Sequence, residues 1–176
     1  MTPLLQLNLA DLVFRPPGTG DIRFLTLFLD GEKYPQDGTH GTTWELRTYS
    51  SLAKLVPLHS PAIKFELKPM QLGPPALVED FPCFEDLEKE VGDDLWDGFR
   101  EQHRTYEGIK LGGWPSLVQS EISWAPFGRH PAQPEYVLQV DSPEVGWQWG
   151  PGGCAYIGRG TSKGHRKEWF LEWQCL

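Results

Sequence analysis

Long apolar runs are missing from this chain of 176 residues, and no window approaches the roughly 18 uninterrupted apolar positions that a membrane-spanning helix needs. The segment from Met1 to Asp11 has no cation ahead of its leucines. Asn8 and Asp11 interrupt it before it can act as a signal core, so a cytoplasmic protein is expected. Cysteine is scarce and odd in number: Cys83, Cys154 and Cys175 form no CxxC pair and stand beside no histidine at ligand spacing, which argues against a disulfide framework or a zinc site. Signatures of catalysis are thin as well. No nucleophile elbow surrounds any serine, and His40, His59, His103, His130 and His165 are scattered with no i, i+4 pair. Gly18-Thr19-Gly20 and Gly158-Arg159-Gly160 are too short to cradle a phosphate and read as turns. Neither a metal nor an organic cofactor is expected. A basic excess is also lacking, since the net charge is minus 8, so a nucleic-acid partner is not expected.

Glycine (19) and proline (16) are abundant, and 8 tryptophans stand among 12% aromatic residues, a composition that favours short strands and turns over long helices. The charge is localised. Between Glu79 and Glu107 there are 11 acids and 3 bases, a net of minus 8 that accounts for the whole excess. Phe84, Leu87, Val91, Leu95 and Phe99 recur there at spacings of 3 and 4, which predicts an amphipathic helix with its carboxylates outward. Its face of Glu90, Asp93, Asp94, Asp97 and Glu101 would attract a basic protein partner.

Alternation with period 2 predicts strands at Leu4 to Asn8 and Thr43 to Tyr49, Ile22 to Leu29 reads as a strand apolar enough to be covered on both faces, and further strands are expected at Ile63 to Leu67, Leu117 to Ser123, Tyr136 to Asp141, Ala155 to Ile157 and Glu168 to Leu176. These strands repeat. Leu5-Gln6-Leu7-Asn8 matches Leu138-Gln139-Val140-Asp141 at an offset of 133, and Gly20 with its strand matches Gly153 with its own at that offset. Trp44 to Tyr49 matches Trp169 to Gln174 at 125. The expected fold is therefore α+β: one domain over 1–176, with two similar antiparallel β-rich halves at about 1–75 and 109–176 related by internal duplication, and the acidic helical region at about 76–108 between them.

The second half opens on Ile109 to Gln119, where Gly112 and Gly113 permit positive φ or a close backbone approach, Trp114 is expected to carry a large buried payload and Pro115 fixes the exit. Together with Leu5 to Asn8, Leu138 to Asp141, the Trp149 to Gly153 turn and the closing Gln174-Cys175, this corner makes the chain resemble the YwqG-like family, a mostly bacterial family of unknown function. The resemblance covers essentially the whole chain, with two departures. Lys110 stands where many relatives carry histidine, and residues from about 50 to 81 do not align. It implies a fold of two similar halves and no established reaction.

A possible ligand site gathers the repeated polar positions Gln6, Asn8, Gln139 and Asp141 with Lys110, Trp114, Gln119, Trp147 and Trp149 along a cleft between the halves. Such buried amides can equally staple irregular backbone and hold the halves in register. Without a catalytic grouping, the sequence reads as a non-enzymatic protein-binding domain. The family's resemblance implies proximity to bacterial toxin systems, hence an immunity-type protein that neutralises a cognate toxin. The alternative is a small-molecule binding or hydrolytic domain using Asp141 and Lys110.

Overall fold

Leucines at alternate positions put Leu5 and Leu7 on one face of the first strand, β1 (Thr2–Asn8), in a computed structural model that describes residues 1–32, 35, 40–53, 55–57, 69–83, 98, 105–124, 130–142 and 147–176. Asn8 ends the strand by accepting a hydrogen bond from the Ala10 amide, which caps a 3-10 turn over Leu9–Asp11. Strands β2 (Phe24–Leu29) and β3 (Trp44–Tyr49) complete an antiparallel sheet of order β1-β2-β3. The second sheet, of order β4-β5-β6-β7, consists of β4 (Lys110–Leu111), β5 (Pro134–Asp141), β6 (Cys154–Gly160) and β7 (Trp169–Gln174). One apolar core joins the sheets. Leu5, Leu25, Leu27, Leu29, Trp44 and Leu46 from the first pack with Leu138, Val140, Ala155, Ile157, Trp169 and Leu171 from the second. A lone sheet of three or four strands leaves this face wet, and each fully buried aliphatic side chain contributes about 2 kcal/mol, so the shared core is what both sheets require.

The α+β expectation is overturned by this architecture. Among the described residues the protein is almost entirely β, two antiparallel sheets with the short turn at Leu9–Asp11. The residues of the expected acidic helix, 84–97 and 99–104, lie outside the described residues, as does the strand expected at Ile63 to Leu67. A second correction concerns Leu117 to Ser123, which is irregular backbone rather than a strand. No helix among the described residues is long and apolar enough to cross a membrane.

The two sheets share a register. In the first, Gln6 pairs with Thr26 and Thr26 with Arg47; in the second, Gln139 pairs with Tyr156 and Tyr156 with Glu172. First strands thus correspond at the offset of 133 and third strands at 125, as in the sequence, while second strands correspond at 130, because Thr26 answers to Tyr156. The alignment of Gly20 with Gly153 at 133 therefore fails. A shared irregularity is more specific than shared alternation: the ladder slips between Pro3 and Leu5 in β1 and between Tyr136 and Leu138 in β5, positions again 133 apart.

Candidate functional site

The corner begins where β4 ends. Lys110 and Leu111 pair with Gln139 and Leu138 of β5, and the Gly112 amide continues that ladder by donating to the Val137 carbonyl at 2.8 Å. Beyond that bond the chain leaves the sheet through Gly112 and Gly113, whose φ values of 72° and 70° are left-handed. A side chain at Gly113 would meet a carboxylate, because its Cβ would lie 2.3 Å from Asp80 Oδ2.

Asp80 holds this corner. Its Oδ2 accepts from the Trp114 amide at 2.8 Å and from Lys110 Nζ at 3.0 Å, and its Oδ1 accepts from the Tyr106 amide at 2.7 Å. The pair is deep: the side chains of Lys110 and Asp80 are 8% and 9% exposed. Burial pulls the Lys110 ammonium below its ordinary 10.5, with the Asp80 carboxylate opposing. Next to the clamp, the Thr105 hydroxyl donates to the Phe81 carbonyl at 2.9 Å. Three segments, 80–81, 105–106 and 110–114, are thus tied through one carboxylate and its neighbours.

The rest of the 112–124 segment lies over the outer face of the second sheet, and an irregular segment laid on a sheet must find partners for its peptide groups. Two rows of polar side chains supply them. Lys110, Gln139, Tyr156 and Glu172 lie across the four strands, and Asp141, Cys154 and Gln174 form the next row. Gln139 Oε1 accepts from the Ser116 amide at 2.7 Å, while its Nε2 donates to the Gly108 carbonyl at 3.1 Å. Tyr156 donates to the Ser116 carbonyl at 2.7 Å. Gln174 Oε1 takes the Val118 and Gln119 amides at 3.1 and 3.0 Å, and its Nε2 donates to the Ser120 carbonyl at 2.8 Å. Glu172 accepts from both the amide and the hydroxyl of Ser123. Ile122 and Trp124 then pack on Cys154 and Tyr156 as a second, smaller core.

The expected ligand residues therefore part company. Lys110 and Gln139 are brought together, yet both are buried and bonded to the protein itself. Trp149 is fully buried in the main core with Trp147 packed against it at 6.0 Å between ring centroids, so neither lines the polar cleft that the sequence suggested. Gln119 and Trp114 are exposed, Trp114 at 41%. Gln6 is exposed on the first sheet and Asn8 is engaged with Ala10 and Asp11, so neither faces Gln139 across a cleft; apolar side chains fill the space between the sheets. Glu90, Asp93, Asp94, Asp97 and Glu101 lie outside the described residues.

Asp141 does border a pocket of about 310 Å³ on the outer face of the second sheet. Glu107, Ser116, Val118, Gln139 and Cys154 are among the residues that line it with Asp141. The Cys154 thiol there is pushed up to about 12, chiefly by burial and then by the Asp141 carboxylate. It is an inert thiol at neutral pH. A thiol reagent applied to the native protein at pH 8 should leave Cys154 unmodified while the half-buried Cys83 and Cys175 react first, and mass mapping after a short pulse checks this.

Two residues of this constellation escape sequence reasoning. Asp80 is one of 11 acids in its block, with nothing local to single it out, although a lysine flanked by Ile109 and Leu111 is a sign that a counter-ion is needed. Gln174 carries three bonds to a segment more than 50 positions away. Replacing Gln139 by the similarly sized methionine should lower stability by about 2 to 3 kcal/mol, because the Ser116 amide and the Gly108 carbonyl lose their partner together; chemical denaturation measures it.

Residues 1–175 match the model of a family described as a domain of unknown function, DUF1963. No curated protein and no solved structure matches the chain.

Proposed function

We propose that this chain, which belongs to the DUF1963 family, is a non-enzymatic protein-binding domain. One observation carries the reading: apart from Asp141, the polar side chains in the two outer-face rows of the second sheet are engaged within the chain itself. Lys110 and Asp80 neutralise each other, Gln139, Tyr156, Glu172 and Gln174 hold the 112–124 segment, and Cys154 keeps its proton. What faces solvent beside them is aromatic surface, which suits protein recognition. The closer likeness to YwqG-like proteins and the matched bulges in β1 and β5 support two duplicated halves. In its most concrete form the protein is an immunity-type factor that neutralises a cognate bacterial toxin carrying a basic surface.

The experiment is capture of partners on the tagged chain in its native host, followed by reconstitution of the pair from purified components. A stable binary complex whose partner is toxic when expressed alone supports the immunity form. Captured proteins that never form a binary complex with the purified chain would sink the reading. The pocket beside Asp141 favours a second reading, a small-molecule site that selects a cation through Glu107 and Asp141. Under that reading a small amine or guanidinium compound raises the melting temperature of the native protein and not that of Asp141→Asn.

A further inference from the structure

The second sheet seats a segment of its own chain at an edge and on a face. Lys110 pairs with Gln139 and the Gly112 amide donates to the Val137 carbonyl, so β4 takes the open edge of β5, and residues 112–124 then cross the outer face over Gln139, Tyr156, Glu172 and Gln174. The first sheet carries the same platform in register. Gln6 corresponds to Gln139, Thr26 to Tyr156 and Arg47 to Glu172, with Asn8, Phe24 and Tyr49 forming the next row as Asp141, Cys154 and Gln174 do. The Leu9 amide donates to the Arg23 carbonyl, so along β1 the odd positions bond to β2, and Gln6 turns its N–H and C=O to the open edge as Gln139 turns its own to β4.

Among the described residues no strand pairs with that edge and no segment bonds across that face. Its contacts are internal: Phe24 meets Tyr49 at 6.2 Å between ring centroids, and Arg47 bonds Glu45 at 2.9 Å. From Thr2 to Asn8 the edge strand has no charged residue, so it lacks the guard that ordinarily keeps other chains from pairing. At β3 the edge is closed instead, because the Gly41 amide donates to the Trp44 carbonyl and the Leu46 amide to His40 Nε2. A second observation points to a ligand. Thr26 is 6% exposed and stands between Gln6 and Arg47 on the outer face, yet its hydroxyl has no partner among the described residues, whereas Tyr156 in the corresponding place donates to the Ser116 carbonyl of the overlying segment. Buried hydroxyls are normally bonded. We propose that the β1 edge and the outer face of the first sheet dock an extended segment of a partner protein, which adds antiparallel to β1 at Gln6 and crosses the face to set a carbonyl on the Thr26 hydroxyl. The occupant is recognised through its main chain, as the backbone of Gly112 and Ser116 is on the second sheet, and the exposed Gln6 and Arg47 side chains swing aside for it. This rests on the protein-binding reading above and names its surface and the form its partner takes.

The test uses the full chain and a fluorescein-labelled peptide with the sequence of residues 108–124, the segment that the second sheet holds, followed by fluorescence anisotropy, with the same residues in scrambled order as the control. The wild type should bind the first peptide saturably and not the second. Amide hydrogen exchange should find Gln6 exchanging fast in the free protein and protected in the complex. Gln6→Pro removes the outward N–H without touching the ladder to β2 and should weaken binding about tenfold. Thr26→Val keeps the shape and loses the hydroxyl, and it should weaken binding about fivefold without lowering the melting temperature, because no bond within the protein is lost. This second variant decides the matter should the proline melt early. Gln119→Ala, exposed on the segment over the second sheet, should change nothing. The platform is overturned by absence of peptide binding, by equal binding of the scrambled peptide, by an unprotected Gln6 amide in the complex, or by affinity within twofold of wild type in Thr26→Val or in a folded Gln6→Pro. A reconstituted partner complex that survives both variants would overturn this platform while leaving the protein-binding reading in place.

Discussion

Asp80→Asn should destabilise the protein by about 3 to 5 kcal/mol, the loss typical of leaving one partner of a buried ion pair uncompensated. The amide retains a single acceptor oxygen where the carboxylate has two, so the amides of Tyr106 and Trp114 and the Lys110 ammonium cannot all be served. Combining it with Lys110→Met should recover much of the loss, because the stranded charge is gone, and a double-mutant cycle by denaturant unfolding isolates the pair. Linkage gives a second readout. Burial lowers the Lys110 pKa in the folded state, so the unfolded chain binds more protons in the window below about 10.4, and stability rises with pH there. Removing the opposing carboxylate extends that window downward. Asp80→Asn should therefore regain stability on moving from neutral to alkaline pH more steeply than the wild type, and Asp80→Asn with Lys110→Met should not.

Gly153→Ala should cost about 3 kcal/mol and Gly152→Ala about 1 kcal/mol, although the two glycines are adjacent. A methyl group on Gly153 would lie 2.3 Å from the Trp149 carbonyl oxygen and 2.8 Å from that of Gln174, both backbone atoms, the first in the turn before β6 and the second in β7, that cannot rotate aside as a side chain can. The same turn is held by Ser142, whose hydroxyl donates to the Gly153 carbonyl at 2.7 Å and accepts from the Trp149 amide at 2.8 Å. At Gly152 the obstacle is the Leu176 side chain, which can rotate away, and only a φ of 58° remains to be tolerated. Thermal unfolding of the two variants side by side tests the contrast, and equal losses would mean that the turn relaxes around Gly153.

Strand positions were readable where one face meets the common core. Leu5 with Leu7, and Trp169 with Leu171, alternate because burial on one side imposes period 2. The outer face of the second sheet was not readable. Period 2 directs Gln139 and Gln174 away from the core, and only the 112–124 segment folded over them makes them buried. That segment was misread as a strand since Leu117 and Val118 are apolar; they pack on Cys154 and Tyr156, while the peptide groups around them are satisfied by side chains from β5, β6 and β7. The two-residue strand β4 is too short to show a period. Trp147 and Trp149 were expected along a polar cleft between the halves, yet both pack into the apolar core that fills that space. Asp80 was hidden among its acidic neighbours, for a counter-ion 30 positions from its lysine leaves no local pattern.

The clamp also decides how freely this protein can change in length. The hydroxyl of Thr105 and the carbonyl of Phe81 are 2.9 Å apart, so the closure of the intervening excursion is fixed by the anchors and not by the sequence that runs between them. Doubling such a loop costs only about 0.6 kcal/mol in closure entropy. Insertions between Phe81 and Thr105 should therefore cost little in closure entropy so long as the bond that holds the two ends is kept.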